Sequence, residues 1–355
     1  FKFKDKSKIY KHSLQIMTEL KNRIKALENL GNYFSDISDK DPQYDHLFDA
    51  IERANLQNGW FQREVCMEAI QSWGAALQPK NISKWINQYQ INENNSPKTI
   101  AVIMAGNIPL VGLHDLISIW ISGNRALIKC AAKDSVLIPF IVENNPLFQS
   151  LTSFTDGKLE GFDAVIATGS NNAARYFDYY FSKYPHIIRK NKNGIAVLDG
   201  SETQEDMENL GKDMLQYYGL GCRNVSKLYL SKGFDLDLVF GGLYPYARVI
   251  EMNKYANNYD YNKAVYLISE FDFKENGFFM LREDQAISSP IATGHYEFYE
   301  SLSPLKSHLL EQQENIQCIV SKADIEGAIP FGEAQNPQLW DYADGVDTLE
   351  FLKGL

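Results

Sequence analysis

The run TIAVIMAGNIP, residues 99–109, decides how the rest of the chain is read. It is apolar without alternation and stops at Gly-Asn-x-Pro. That is the pattern of a strand buried on both faces and then a turn. Upstream the period is helical. HSLQIMTELKNRIKALENLGNYF places Leu14, Met17, Leu20, Ile24, Leu27 and Leu30 at three- and four-residue steps, and FQREVCMEAIQSWGAAL continues the theme. A helical region from Lys4 to about Trp85 is expected.

Downstream, a helix is expected from about Val111 to Ile121, a turn at Gly123 and Asn124, a strand at RALIKCA and one helix at SVLIPFIVENNPLFQSL. GFDAVIATGSNNAARYFDYYFSK repeats strand, turn and helix. HIIRK and NGIAVLDG are short strands. TQEDMENLGKDMLQYYG is an amphipathic helix, SKLYLSKG a strand and NIQCIVS a late strand. Strands alternating with helices imply a largely parallel sheet covered on its faces, so the fold class is α/β.

A chain of 355 residues is long for one core, so two domains, or one large α/β domain with an appendage, are expected. Hydrophobic residues make up 45% and charged residues 23%, as in an ordinary globular protein. The net charge of −10 argues against a nucleic-acid binder and against docking on an anionic membrane surface. The four cysteines, Cys66, Cys130, Cys222 and Cys318, are far apart and lack metal-ligand spacing, so no metal site is expected. Few scattered cysteines fit a reducing compartment, and a cytoplasmic protein is expected. No signal-peptide pattern is read from Phe1 onward. IPLVGLHDLISIWISG is interrupted by His114 and Asp115 and reads as a buried helix, without membrane insertion.

Several stretches can carry chemistry. In ATGSNNAARYF, Gly169 and Ser170 turn a strand into a helix. Ser170 either caps that helix or helps offer its free N–H groups to an anion. No GxGxxG accompanies it. In AGNIPLVGLHD, Asn107 either caps the next helix or turns its amide toward a developing oxyanion. Lys129 ends a strand, within reach of a ribose or phosphate or simply solvated. In YYGLGCRNVSKLYL, Cys222 follows Gly219 and Gly221, with Arg223 and Lys227 as nearby cations that favour a thiolate. The alternative is a small buried hydrophobe.

Taken together and in order, these stretches resemble the aldehyde dehydrogenase superfamily, and more closely its LuxC-like acyl-CoA reductase branch. The resemblance runs from about Thr99 to the C-terminus. GNIPLVGLHDLISIWISGNRALIKCAAKDS looks like the segment that reads Asn-Phe-Pro, helix, Ala-Gly-Asn, then a strand ending in Lys-Pro-Ser. VIATGS looks like the Thr-Gly-Ser turn beside the cofactor, and GLGCRNVSKLYL like the Gly-Gln-x-Cys motif. IPFGEAQNPQLWDYADGVDTLEFL looks like the closing segment of the reductase branch.

The resemblance implies an aldehyde-dehydrogenase-like fold, with a Rossmann-like cofactor domain and a second α/β domain carrying the cysteine. The expected boundaries are residues 1–215 for the helical and dinucleotide-binding part, 216–320 for the cysteine domain and 321–355 for a return segment. It also implies Cys222 as nucleophile, with Asn107 and the Cys222 N–H at the oxyanion. Lys129, Gly169 and Ser170 are implied at the dinucleotide, and Glu283 at the nicotinamide ribose. A homo-oligomer is expected.

Two departures from the superfamily pattern shape the expected reaction. The slot of the water-activating glutamate falls on Ile188, so a thiol such as CoA is the natural acyl acceptor. The glutamate that chelates the adenine ribose becomes Ala132, followed by Lys133, which favours NADP(H) over NAD(H). The expected reaction is therefore reduction of an acyl-CoA, or another acyl thioester, to an aldehyde. The alternatives are an acyl-phosphate reductase, an aldehyde-oxidising dehydrogenase, or a non-catalytic dinucleotide-binding protein.

Overall fold

The computed structural model describes residues 19–91 and 96–355. The expected helical residues 4–18 lie outside them. The chain divides into two compact units. The first holds the residues up to Lys190 together with Gln338–Leu355, and the second is Asn191–Pro337. The sequence placed these boundaries at 215/216 and 320/321. The difference arises because NGIAVL and the helix after it pack with the second sheet, not with the first.

The first unit opens with four helices, α1 (Leu20–Ser35), α2 (Asp45–Gln57), α3 (Arg63–Ala76) and α4 (Pro79–Ile86). Leu27, Leu30 and Phe34 bury one stripe of α1, and Leu47, Ile51 and Ala54 one stripe of α2, as their spacing predicts. The sheet that follows is wholly parallel. Its strands are β1 (Thr99–Ile103), β2 (Arg125–Lys129), β3 (Thr152–Phe154), β4 (Ala164–Thr168) and β5 (His186–Arg189), in the order β3-β2-β1-β4-β5. Ile100, Ala101 and Val102 are buried on both faces, which explains the unbroken apolar run.

Between the strands lie α5 (Leu113–Ile121), α6 (Leu137–Glu143), α7 (Pro146–Ser150) and α8 (Asn171–Phe181). The one helix expected over SVLIPFIVENNPLFQSL is two, because Pro146 cannot extend α6 and Asn145 caps a new helix through Leu147 N and Phe148 N. The closing helix, Thr348–Lys353, belongs to this unit. Around it, Tyr342 accepts from Trp85 Nε1 at 2.7 Å, and His114 Nε2 is 3.0 Å from the Leu339 carbonyl. Burial holds the His114 imidazole below its usual pKa. In β5, Arg189 is buried against Asp115 at 2.6 Å and donates to Thr348 Oγ1 at 2.9 Å.

The second unit is built on β6 (Asn193–Leu198), β7 (Val225–Ser231), β8 (Lys274–Glu275), β9 (Met280–Glu283), β10 (Thr293–Tyr299) and β11 (Ile316–Ser321). Their order is β11-β6-β7-β10-β9-β8, parallel except for the short edge strand β8. Helix α9 (Gln204–Leu215) starts from a capping box in which Thr203 and Asp206 satisfy each other's backbone N–H groups. Helices α10 (Leu236–Leu243), α11 (Asn253–Ile268) and α12 (Leu302–Glu311) complete the unit, and α13 (Thr348–Lys353) lies in the returning segment.

Candidate active site

Helix α9 ends at Leu215, and the chain then takes a strained path to Cys222. Tyr217 (φ 54°), Tyr218 (φ 58°), Gly219 (φ 75°) and Gly221 (φ 99°) are all left-handed. Glycine adopts this region freely, whereas each tyrosine there costs about 1–2 kcal/mol. Backbone strain of this kind persists only where the surroundings enforce it, and it concentrates at functional sites. Leu220 N donates to Tyr217 O at 3.0 Å, and the turn delivers a half-buried Cys222 three residues ahead of β7.

Three attachments hold the turn. Gly194, in β6, lies directly under it: a methyl group there would sit 2.6 Å from the Arg223 carbonyl oxygen. Arg223 Nε donates to the Ala334 carbonyl. Asp213, fully buried on α9, accepts from Gly332 N at 2.7 Å and Ala334 N at 2.9 Å, and Lys212 Nζ donates to Gly332 O at 3.2 Å. Burial lifts the Asp213 carboxyl to about 6, and the two N–H donors work against that rise. The segment PFGEAQNP is thus bolted to the cysteine turn from more than a hundred residues away.

Sequence reasoning missed Asp213 and this clamp. A signal for the aspartate was present, since it falls three residues after Leu210 on the buried stripe of the helix.

The expected help from Lys227 is not found. Its side chain is wholly buried in β7, where Nζ pairs with Glu297 Oε2 at 2.7 Å and donates to the Asp284 carbonyl. It ties β7 to the loop after β9 rather than facing Cys222. Glu283 is exposed at the end of β9, level with Tyr296 in β10 and therefore with Leu228 in β7. That is three residues, or about 10 Å, beyond the start of β7.

In the first unit, Asn107, Lys129, Lys133, Gly169 and Ser170 all come to the C-terminal end of the parallel sheet. With strand order 3-2-1-4-5, the chain runs outward from β1 to β2 and β3 and then crosses back to β4 on the other side of β1, so the order reverses between β1 and β4. Such switch points are where open α/β sheets receive ligands. Asn107 follows β1 and is exposed. It does not cap α5, whose N-cap is Gly112 with no side-chain bond. Ser170 does cap α8, accepting from Ala173 N at 3.3 Å. Gly169 has no room for a side chain, because a Cβ would lie 2.9 Å from that of Ala173 and 3.0 Å from the Phe177 ring.

Lys129 Nζ donates to the Gly157 carbonyl at 2.9 Å, while Ala132 and Lys133 are exposed. Asp134 turns inward. It is 5% exposed, packs against Gly106, and its Oδ1 has no hydrogen-bond partner. Small residues, a helix N-terminus and lysines at these strand ends fit the phosphates of a dinucleotide. Among the described residues there is no metal-binding cluster, and no helix is long and apolar enough to cross a membrane.

No protein-family profile and no curated protein matches the chain. Solved structures do. An indole-3-acetaldehyde dehydrogenase in complex with NAD+ aligns at a TM-score of 0.64 and 11% identity, over 89% of this chain and 76% of that one. The aldehyde dehydrogenase KauB from Pseudomonas aeruginosa aligns at 0.61 and 11% identity, over 88% and 79%. A Mycobacterium tuberculosis aldehyde dehydrogenase in complex with NAD+ aligns at 0.58 and 11% identity, over 81% and 70%. With a parallel Rossmann-like sheet in one unit and a second, largely parallel sheet in the other, the chain has the aldehyde-dehydrogenase-like fold.

Proposed function

We propose that the protein reduces an acyl thioester, such as an acyl-CoA, to an aldehyde through an S-acyl intermediate on Cys222. The observation that carries this reading is the strained turn that holds the thiol half-exposed ahead of β7. The Cys222 thiolate attacks the thioester carbonyl, its S–C bond forms, and the CoA thiolate leaves. In the roles that the sequence resemblance gives them, the Asn107 amide and the Cys222 N–H are the donors to the tetrahedral oxyanion, each contributing about 3 kcal/mol. When bound, a reduced nicotinamide dinucleotide supplies the hydride that takes the acyl group to the aldehyde level. Cys222 then departs as the thiolate.

The acceptor follows from Ile188. By the sequence resemblance it stands in the slot of the water-activating glutamate, and it is half-buried in β5 beside Ala101 and Val165. Without a base, water attacks an acyl-enzyme slowly, and a thiol is the better partner.

The test has two readouts. Incubation with an acyl-CoA, without cofactor, should add one acyl group to the peptide holding Cys222. NADPH oxidation across a chain-length series of acyl-CoAs should then identify the substrate, and Cys222→Ala should abolish turnover while retaining cofactor binding. Acylation at another cysteine, or turnover that survives Cys222→Ala, overturns the proposal.

A further inference from the structure

Cys222 and Cys318 are the two cysteines of the second unit. Cys318 lies in β11, level with Gly194 in β6, which in turn pairs with Val225 in β7. Two strand spacings, about 10 Å, would normally separate β11 from the residues that lead into β7. The missing side chain at Gly194 removes that barrier, because the backbone of Arg223 and Asn224 lies across the glycine. As a result Cys318 Sγ sits 3.7 Å from the carbonyl oxygen of Arg223, the residue next to Cys222. Burial holds the Cys318 thiol up at about 11, and a Cys222 thiolate pushes in the same direction against the pull of Arg223.

We propose that Cys222 and Cys318 form a reversible disulfide when the protein meets a peroxide, an oxidative modification site that rests on Cys222 being the reactive thiol of the proposed reaction. The Cys222 thiolate attacks one peroxide oxygen. The O–O bond breaks, a sulfenic acid forms on Cys222, and the departing hydroxide takes up a proton as water. Cys318 is the resolving thiol, and it gives up its proton as its sulfur attacks. Its sulfur bonds to that of Cys222, the S–O bond breaks, and hydroxide leaves with the Cys318 proton as a second water. Peroxide is reduced, the thiol pair is oxidised by two electrons, and a dithiol reverses the change. A disulfide requires Cα atoms within about 7 Å, so joining the two sulfurs requires the Cys222 turn to move toward β11. The pairing inactivates the nucleophile temporarily and keeps it from the irreversible sulfinic acid.

The experiment treats the full chain with stoichiometric hydrogen peroxide and maps its peptides without reduction. The expected result is a Cys222–Cys318 linked peptide that disappears with dithiothreitol, with activity returning in parallel. In Cys318→Ser the link is absent, the untreated enzyme keeps its activity, and Cys222 reaches the sulfinic acid about tenfold faster. Cys318→Ala checks that the serine hydroxyl plays no part. Sulfinic acid at Cys222 at the same rate in the parent and both variants overturns the proposal, and so does a link from Cys222 to Cys66 or Cys130. Acyl labelling of Cys222 without oxidant reports separately on the catalytic reading, so the two can fail independently.

Discussion

Asp134→Asn should stabilise the protein, and do so increasingly as pH rises. The carboxyl is 5% exposed, its Oδ1 has no partner, and burial lifts it from an ordinary value of 3.8 to about 7. A group raised in the folded state favours folding fully only below its unfolded value, near 3.8. The advantage is lost as pH climbs, and the loss is complete above the folded value. A shift of about three units corresponds to a ceiling of roughly 4 kcal/mol at pH 8. The asparagine keeps the shape but leaves an amide without partners, which costs about 1–2 kcal/mol. The net gain should be about 2 kcal/mol at pH 8, or roughly 4–8 °C in the melting of the first unit. It should shrink below pH 6 and vanish or reverse near pH 4.

Thermal melts of both proteins from pH 4 to pH 9 measure the difference. A pH-independent difference, or an asparagine variant less stable than its parent at pH 8, would refute the reasoning, because either means that the carboxylate is held ionised by a partner. Alkylation of Cys130 provides a second check. Burial first, and then the Asp134 charge, lifts its thiol to about 11, so removing the charge should speed its reaction.

Asn107→Ala should lower kcat by about a hundredfold while leaving the melting temperature nearly unchanged, since the residue is exposed and caps no helix. A variant that mainly unfolds contradicts the oxyanion role. Kinetics with both cofactors should show NADPH preferred over NADH by about tenfold in kcat/KM, because exposed Lys133 stands beside Ala132 where a carboxylate would repel a 2′-phosphate. Lys133→Ala should erode that preference and Ala132→Glu reverse it. A parent enzyme that prefers NADH would show that another acidic group serves the ribose.

The features legible in the sequence are those set by local rules. The unbroken apolar run of β1, the strand–turn–helix at Thr168 to Asn171 and the glycines ahead of Cys222 are each dictated by residues next to one another. The left-handed tyrosines were not legible, because nothing in the side chains of Tyr217 and Tyr218 asks for that backbone. The attachments at Asp213, Arg223 and Gly194 help to hold it. Those partners lie far away in sequence, as does Cys318 from Cys222, and pairing at such separation is decided by sheet order. Lys227 shows the converse. Its nearness to Cys222 in sequence suggested an electrostatic role, and strand geometry turned it instead toward Glu297.

The second unit is an insertion within the first. Vectorial synthesis therefore imposes an order on folding. When Lys190 leaves the ribosome, the first sheet is fully made, yet the partners that complete its core are not. The Arg189 guanidinium lacks Thr348, the Trp85 indole lacks Tyr342, and the groove for Leu349 and Leu352 stands empty. All of these arrive after the 147 residues of Asn191–Pro337 have been translated. At about 5–20 residues per second, that is roughly 7–30 s in which the nascent first unit exposes an open apolar seam. The second unit meets no such delay, because its strands β6 to β11 and the clamp at Gly332 to Ala334 emerge in one continuous stretch. The later unit is thus free to fold before the earlier one is finished, and the seam of the first unit is where a chaperone would bind.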